Sequence, residues 1–429
     1  MDTRTSVPVP FPGSEPSRQD PVITAAMPGS ARLIVRMLEK LAVGSLTVRY
    51  PDGASRRFGQ GVPHAEIALV NWKVCDAALR SGDIGFGETY IAGDWTTPDL
   101  LSLMNVMVAN RNAIEAAVHG TWWGSLLYRV RHVMRRNTRT GSRKNIHAHY
   151  DIGNAFYRLW LDRSMTYSSA LFLDGRTAAD ASSRDDFERL SIAQAAKNDR
   201  VLEQLDLPAG ARVLEIGCGW GGFAETAGRR GVDVTGLTLS HEQRAFGMAR
   251  IASGGLDDLV RLQLRDYRDA QGQYDGIVSI EMFEAVGEKY WPDFFACIKQ
   301  RLKVGGRATV QTITIAEHLF ADYRKSSDFI QQYVFPGGML PSGSAFVAAA
   351  RAAGLRVVDR FAFGQDYART LAAWLNRFDD REGEVRAEGF DTAFMRTWSF
   401  YLAYCSAAFR FENTDVVQFT LEHATASRA

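Results

Sequence analysis

Short apolar runs alternate with segments of helical spacing from about residue 149 onward. The apolar runs lie at residues 211–216, 232–237, 259–264, 274–281 and 307–315. Segments whose apolar residues recur at helical spacing, such as 241–252 and 290–302, separate them. Parallel strands that are buried on both faces are continuous apolar runs, and helices connect them. The pattern therefore predicts an α/β fold with a doubly wound sheet, which binds ligands at the carboxyl ends of its strands.

The N-terminal part of the chain shows a different pattern. Six of the 13 prolines fall within the first 28 residues, and proline removes backbone donors, so residues 1–29 are predicted to form a disordered arm. A helix is predicted from about Ala31, followed by two strands around a Pro-Asp-Gly turn and then by mostly helical spacing. We expect a small α+β domain at residues 30–130, a basic linker at 131–146 and a catalytic domain at 147–429.

Composition narrows the class of protein. The chain has 429 residues, 46% of them hydrophobic, and its 50 basic and 49 acidic residues leave a net charge of +1. This balance argues against a protein that coats nucleic acid, so no nucleic-acid partner is expected. The four cysteines are scattered, which favours reduced thiols over a disulfide framework or a metal site. We see no signal peptide and no membrane-spanning run, and therefore expect a cytoplasmic protein.

A basic segment precedes the predicted catalytic domain. Seven basic residues and no acidic residue lie from Arg129 to Lys144. Charge runs of this kind are usually solvated linkers. The alternative is contact with anionic lipid, where each cation near the surface contributes about 1 kcal/mol. By itself, the segment supports both interpretations equally.

The first predicted strand of the sheet ends in a glycine-rich turn at residues 215–222, EIGCGWGG. Glycine lets the backbone turn sharply and approach a ligand closely. The spacing matches the G-x-G-x-x-G pattern of dinucleotide sites, which also place a carboxylate at the end of the next strand. Here that strand ends in TGLT, with Asp233 inside it, and this weakens the dinucleotide interpretation. A turn whose glycines serve only packing is another alternative.

The acidic residue before the glycines is the more informative feature. The pattern E-x-G-x-G-x-G after a first strand resembles the S-adenosylmethionine site of class I methyltransferases. In such sites the acid orients the loop and the glycines admit the methionine part of the cofactor. The resemblance places the adenine end near Asp266 and Tyr267, just after the third strand.

Seven longer blocks resemble cyclopropane-fatty-acyl-phospholipid synthases, including the mycolic acid cyclopropane synthases. The blocks are HYDIGNAFYRLWLD (149–162), MTYSSALF (165–172), LEIGCGWGG (214–222), GLTLSHEQ (236–243), MFEAVGEKYW (282–291), FPGGMLPS (335–342) and YLAYCSAAF (401–409). The resemblance covers residues 147–429 and, more loosely, 87–95. It implies a class I S-adenosylmethionine-dependent methyltransferase with a Rossmann-like fold, which transfers a methylene group to a cis double bond of a phospholipid acyl chain.

The resemblance also implies roles for individual residues. The cofactor-binding residues carried over are Tyr167, Ser168, Glu215, Gly217, Cys218, Gly219, Gly221, Thr238, Leu239, Gln243, Asp266 and Tyr267. The residues carried over to the reacting centre are Ser169, Glu284, Gln311, Ile313, Tyr367 and Cys405. Members of the family hold a bicarbonate ion at that centre, and Glu284, Ile313 and Tyr367 match residues of the anion site.

Two positions depart from the family pattern. Ser169 stands where many relatives have cysteine, and Gln311 stands where they have the bicarbonate-binding histidine. An amide or a hydroxyl can still donate hydrogen bonds to an anion, but Gln311 cannot carry charge. Two products are therefore considered: the cyclopropane ring that the resemblance implies and, as the alternative, a methyl- or methylene-branched chain without ring closure. Cys405 is expected to line the pocket, because methylation of an alkene requires no covalent enzyme intermediate.

Methyl transfer to an alkene leaves a carbocation, which aromatic faces can stabilise. Candidate rings are those of Tyr157, Trp160, Phe172, Tyr333, Phe335 and Trp374. Each of them taken singly is more often ordinary core, since a doubly wound domain buries many rings.

A phospholipid substrate implies contact with a membrane. Moving a chain of about sixteen carbons through water costs about 13 kcal/mol at about 0.8 kcal/mol per CH₂, so the enzyme must dock on the lipid surface. The basic segment and residues 149–162 are candidates for peripheral docking on the anionic inner membrane. The N-terminal domain is expected to assist docking or formation of a homodimer. A small-molecule or RNA methyltransferase and a non-enzymatic lipid-binding module remain as alternatives.

Overall fold

The computed structural model describes residues 27–111 and 152–423. The elements of the first range are α1 (Gly29–Leu38), β1 (Ser45–Arg49), β2 (Ser55–Gly59), β3 (His64–Leu69), α2 (Lys73–Ala92), β4 (Trp95–Thr96) and α3 (Leu100–Ala109). The four strands form one sheet in the order β2-β1-β3-β4, in which only β1 and β3 are parallel. The predicted helix, the strand pair around the Pro-Asp-Gly turn and the α+β character of this part are confirmed. The arm, the basic segment and the proposed boundary between residues 130 and 147 lie outside the described residues.

The second range carries the larger sheet. Its first elements are α4 (Asn154–Trp160), α5 (Ser183–Leu205), β5 (Arg212–Ile216), α6 (Gly222–Arg229), β6 (Asp233–Thr238), α7 (His241–Ser253), β7 (Val260–Leu264), β8 (Tyr274–Ile280) and α8 (Trp291–Arg301). The remaining elements are β9 (Leu302–Ile315), α9 (Glu317–Tyr323), α10 (Phe329–Tyr333), α11 (Gly343–Ala352), β10 (Leu355–Ala362), α12 (Gly364–Asp380), α13 (Glu382–Ala387), α14 (Thr392–Arg410) and β11 (Thr414–His423). Short 3-10 helices follow β7 and β8.

The seven strands are ordered β10-β11-β9-β8-β5-β6-β7. Strands β5 to β9 are parallel, as the alternating pattern predicts, and the chain order reverses beside β5, which leaves an opening at the strand ends. Strand β11 runs antiparallel between β9 and β10. The sequence pattern did not predict β10 and β11. Strand β10 alternates less exposed and exposed positions, as expected for an edge strand with one solvated face.

Helix α14 joins the two sheets in one hydrophobic core. Phe400 lies 4.5 Å from the ring of Phe329 and 6.2 Å from that of Phe86 in α2. A Cβ atom at Gly87 would stand 2.5 Å from the ring of Phe329, so only glycine permits this approach. The N-terminal sheet and its helices are therefore packed on the same helix that carries Tyr401 and Cys405.

No helix within the two described ranges is both long and apolar enough to cross a bilayer.

A buried arginine ties α12 to the first turn of α5 and to the segment that precedes it. Arg369 donates to Asp186 at 2.7 and 3.0 Å and to Asp174 at 2.8 and 2.9 Å. The side chains of Arg369 and Asp186 are each 1% exposed. The arginine holds the pKa of the Asp174 carboxyl well below its usual range. Breaking a buried pair is costly because the remaining charge has lost its partner.

We expect Arg369→Met to lower the free energy of unfolding by about 3–5 kcal/mol, since Asp186 would lose its two hydrogen bonds to Arg369 and, among the described residues, keep an ion pair with Arg176 at 3.6 Å. The matched control is Arg184→Met, which removes an arginine whose partner Asp380 lies 3.8 Å away, with side chains 75% and 51% exposed. That exposed pair should contribute at most about 1 kcal/mol. Urea denaturation of both variants measures the difference, and equal losses would contradict the role given to Arg369.

Candidate active site

The glycine-rich turn lies at the carboxyl end of β5 and is held against β6. The backbone N–H groups of Gly217 and Cys218 donate to the carbonyl of Leu237 at 2.9 and 2.8 Å. A Cβ atom at Gly217 would meet the side chain of Met282 at 2.8 Å, so this glycine serves packing. A Cβ atom at Gly219, whose φ is 49°, would meet nothing within 4 Å. The backbone at Gly219 therefore faces open space, as a ligand-binding loop requires.

Glu215 lies on β5 just before this turn and is buried. Burial raises the pKa of its carboxyl to about 8, and the charge of Lys197 opposes the shift. Among the described residues, its Oε2 atom has no hydrogen-bond partner. A buried acceptor without a partner beside an open glycine loop fits the polar methionine end of S-adenosylmethionine.

The next strand ends place further predicted cofactor residues at the same edge. Thr238 donates to the Oε1 atom of Gln243 at 3.0 Å, so the two side chains are held together after β6, with Leu239 between them in the chain. Asp266, after β7, accepts two hydrogen bonds from the guanidinium of Arg268, at 2.8 and 2.5 Å. The ring of Tyr267 packs edge-on against Phe294. Both oxygens of the Asp266 carboxylate thus already accept hydrogen bonds from Arg268. That Asp266 binds the adenine of the cofactor stays a prediction.

Lys197 is a central residue that the sequence interpretation missed. It is completely buried on α5 and donates to the hydroxyl of Ser168 at 2.8 Å. Burial lowers its pKa to about 8, against the charges of Glu281, Glu215 and Asp162. The sequence contained a signal for its burial, because the lysine lies in a helical stripe of apolar residues that includes Leu190, Ala193 and Val201.

Aromatic rings surround Tyr167, the neighbour of Ser168. Its ring lies 5.6 Å from that of Tyr157 and 5.5 Å from those of Trp160 and Trp374. The hydroxyls of Tyr167 and Tyr401 are 2.7 Å apart and share a hydrogen bond. We call the rings of Tyr157, Trp160, Tyr167, Trp374 and Tyr401 the aromatic box.

The other aromatic candidates lie outside the box or at its rim. Phe335 contacts Tyr401 edge-on at 5.8 Å and borders the box. Phe172 instead lies under the guanidinium of Arg369, 3.9 Å away, and belongs to the ion-pair network. Tyr333 stacks on Phe329 next to the N-terminal sheet.

Glu281, the first residue after β8, is the second residue that the sequence interpretation missed. Its Oε1 atom accepts hydrogen bonds from the backbone N–H of Ser169 and from the amide of Gln311, both at 2.8 Å. The hydroxyl of Tyr367 donates to the same carboxylate. Its φ of 47° lies in the left-handed region that favours glycine. This backbone conformation is the kind of local strain found at functional sites.

Glu284 lies one turn further along. Its Oε1 atom accepts from the hydroxyl of Thr312 at 2.9 Å and from the backbone N–H of Ile313. Its Oε2 atom is buried and has no partner among the described residues. Burial, followed by the nearby charge of Glu281, raises the pKa of Glu284 to about 8. Burial raises the pKa of Glu281 as well, but its three hydrogen-bond donors and the charge of Lys197 oppose that shift. Of these two carboxyls, Glu281 is therefore the one whose surroundings favour the negative charge.

Gln311 is fully buried and belongs to a chain of side-chain hydrogen bonds. Arg200 donates to Gln418 at 2.7 Å, Gln418 donates to Gln311 at 3.0 Å, and Gln311 donates to Glu281. We call this chain, from Arg200 through Gln418 and Gln311 to Glu281, the amide relay.

The bicarbonate ion implied by the resemblance does not fit this arrangement. The side chains of Gln311 and Tyr367 and the backbone N–H of Ser169 all bind the carboxylate of Glu281. The backbone N–H of Ile313 binds Glu284. The donors that an anion would need are thus occupied by two carboxyl groups of the chain itself.

Cys405 lies on α14 near the same residues. Burial raises the pKa of its thiol far above the usual value, and the charge of Asp328 raises it further. A protonated thiol is a poor nucleophile. The cysteine lies near Tyr367 and Tyr401. That it lines the substrate pocket stays a prediction. Within residues 27–111 and 152–423, no cluster of His, Cys, Asp or Glu could hold a metal ion.

The chain is similar in sequence to known methyltransferases and cyclopropane synthases. The family model for mycolic acid cyclopropane synthetase matches residues 137–419. Tuberculostearic acid methyltransferase UfaA1 of Mycobacterium tuberculosis is 37% identical over 379 residues, which cover 88% of this chain and 83% of that protein. Cyclopropane-fatty-acyl-phospholipid synthase of Escherichia coli K12 is 34% identical over 358 residues, which cover 82% of this chain and 86% of that protein.

A solved structure supports the same assignment. Mycolic acid cyclopropane synthase CmaA1, complexed with SAH and CTAB, aligns with a TM-score of 0.58 at 32% identity, covering 65% of this chain and 97% of that one. SAH is the product that S-adenosylmethionine leaves after methyl transfer. The open glycine loop, the buried acid before it and these similarities lead to one conclusion: the chain belongs to the mycolic acid cyclopropane synthetase family and is an S-adenosylmethionine-dependent methyltransferase of the cyclopropane synthase type.

Proposed function

We propose that this enzyme transfers a one-carbon unit from S-adenosylmethionine to a cis double bond in an acyl chain of a membrane phospholipid. The observation that carries the proposal is the aromatic box beside two buried carboxyls, since this combination suits a carbocation and the removal of its proton. The names of two relatives support the proposal: one is a tuberculostearic acid methyltransferase, and the other is a cyclopropane-fatty-acyl-phospholipid synthase.

The residues of the box have a clear chemical task. When bound, S-adenosylmethionine supplies an electrophilic methyl group, and the alkene is a weak nucleophile that reacts only when held in line with it. Positive charge then develops on the acyl chain. Faces of Tyr167, Trp160 and Trp374 can stabilise a desolvated cation by about 2 kcal/mol. The box also excludes water, which would otherwise capture the cation.

Two products are compatible with methyl transfer. Loss of a proton from the new methyl group closes a cyclopropane ring. If a hydride first shifts between the two former alkene carbons, loss of the same proton leaves a methylene branch. One observation favours this second, branched product. Glu281 and Glu284 occupy the donors of the implied anion site, so the group that removes the proton is a carboxylate fixed to the chain and not a free anion.

The basic segment, which lies outside the described residues, is proposed to dock the enzyme on anionic lipid. A long acyl chain cannot be carried through water at acceptable cost, so the active site has to open toward the bilayer. The implied location is the cytoplasmic surface of the inner membrane.

The first prediction concerns the product. Expression in a host with unsaturated phospholipids should add about 14 mass units to a fraction of the acyl chains, the mass of one CH₂ group, consistent with single one-carbon transfer. Fragmentation of the modified chains separates ring from branch. Unmodified chains in a host that accumulates the folded protein would contradict the proposal.

The second prediction concerns the cofactor loop. Gly219→Val should abolish S-adenosylmethionine binding in calorimetry, because its side chain would fill the open space beside the loop. The matched control is Gly210→Val. Gly210 also has a positive φ, 69°, and open space around it, but it precedes β5 at the opposite end of the strand. Both variants carry the same backbone strain, so equal cofactor affinity in the two would refute the loop assignment.

The third prediction concerns the membrane. Changing Arg135, Arg136, Arg139 and Arg143 to Gln should weaken binding to anionic vesicles at low salt by up to about 4 kcal/mol, at about 1 kcal/mol each. The control changes four exposed arginines elsewhere, Arg184, Arg229, Arg230 and Arg261. Both variants have a formal net charge of 1 − 4 = −3. Identical co-sedimentation curves for the two variants would mark the segment as a plain linker.

A further inference from the structure

We propose that Glu281 is the proton acceptor that completes the reaction, in the place that the resemblance gives to a bicarbonate ion. The inference rests on the proposed function and deepens it. It makes the base a permanent part of the chain, so the reaction would require no added anion.

The first support is the set of donors around the carboxylate. The backbone N–H of Ser169, the amide of Gln311 and the hydroxyl of Tyr367 converge on Glu281. These three positions are among those that the family resemblance implies at the reacting centre. A carboxylate has the flat shape, charge and oxygen spacing of a bicarbonate ion, so the same donors can hold either one but have no room for both.

The second support is the direction of the amide relay. Arginine can only donate hydrogen bonds, so Arg200 binds the oxygen of Gln418 and leaves the NH₂ group of Gln418 to face Gln311. Gln418 then donates to the oxygen of Gln311, whose NH₂ group must in turn face Glu281. Every bond in the relay therefore points toward Glu281. Burial raises the pKa of Glu281, and the donors aimed at its carboxylate oppose that shift and favour the ionised form, which is the form that can take a proton.

The backbone adds a further constraint. The N–H of Glu281 donates to the carbonyl of Gln311 at 2.8 Å, so the same glutamine holds both the main chain and the side chain of this residue. The left-handed conformation of Glu281 turns the chain at the end of β8, where Glu284 follows. Lys197 and Glu284 are the charged and titratable neighbours of the carboxylate, with Tyr367 as its hydroxyl donor.

The chemical step is balanced within the proposed reaction. The π-electron pair of the alkene forms a bond to the sulfonium methyl carbon, and the C–S pair leaves with sulfur. The carboxylate of Glu281 then takes one proton from that methyl group. The released C–H pair forms the third ring bond or, after a hydride shift, the exocyclic double bond. No oxidant or reductant is needed, and the proton later leaves to solvent.

The test compares Glu281→Gln and Glu281→Gly, with phospholipid vesicles, in buffer purged of carbon dioxide and with added sodium bicarbonate. Both variants should bind S-adenosylmethionine normally, and both should lose about a hundredfold or more in kcat, the usual scale for a general base. Bicarbonate should restore kcat of Glu281→Gly in a saturable manner, since glycine frees the three donors. It should leave Glu281→Gln unchanged, because the amide still fills the space.

The matched control is Glu412→Gly. Glu412 is also a glutamate in the left-handed region, with φ of 56°, but it lies exposed before β11. This variant should keep the kcat of the wild type with and without bicarbonate, so relief of backbone strain is separated from loss of the carboxylate.

The outcomes separate this inference from the proposed function. A wild-type kcat that rises with bicarbonate, or a Glu281→Gln variant with normal kcat, would overturn the role of Glu281 while lipid methylation stands. A wild type that binds S-adenosylmethionine but forms no methylated lipid would remove the proposed function, and this inference with it. Loss of kcat in Glu281→Gly that bicarbonate fails to restore would reduce Glu281 to a structural residue.

Discussion

A buried positive charge at the carboxyl edge of the sheet is the constraint on which the site depends. Lys197 is completely buried, and the nearby carboxyls of Glu281, Glu215 and Asp162 favour its charged form against the effect of burial. A buried ammonium ion is tolerated only when it is paired and hydrogen-bonded. These groups come from α5, from the segment after α4 and from the ends of β5 and β8. One electrostatic balance therefore brings together the cofactor loop and the residues that would act on the substrate. The hydrogen bond from Lys197 to Ser168 holds the residue next to Tyr167, which belongs to the aromatic box.

The two carboxyls that follow β8 divide their tasks because their surroundings differ. Glu281 is surrounded by donors, whereas Glu284 keeps one buried oxygen without a partner among the described residues. Burial, followed by the charge of Glu281, raises the pKa of Glu284 to about 8. Burial also raises the pKa of Glu281, but its donors and Lys197 oppose that shift, so Glu281 is the carboxyl better able to hold the charge. This division also explains how a chain with Gln311 at a histidine position can still manage a proton: the neighbouring carboxylate performs the acid–base work and the amide positions it.

Helix α14 links the N-terminal sheet to this chemistry. One of its faces carries Phe400, which packs against Phe86 and Phe329, and another carries Tyr401, which closes the aromatic box. A shift of the N-terminal unit would therefore move a wall of the active site.

The sequence by itself determined the parallel strands, the glycine loop with Glu215 and the family, because apolar periodicity and local motifs are encoded within short segments. It also identified Gln311 as a departure, although its consequence required the fold. Glu281, Lys197 and the amide relay were decided only by tertiary structure. Arg200 and Gln418 are separated by more than two hundred residues in the chain, and nothing local shows that α5 and β11 place them side by side. Likewise, the sequence does not show that Lys197 and Glu281 are both buried. Their burial in the folded protein is what makes a charged or hydrogen-bonding partner necessary for each.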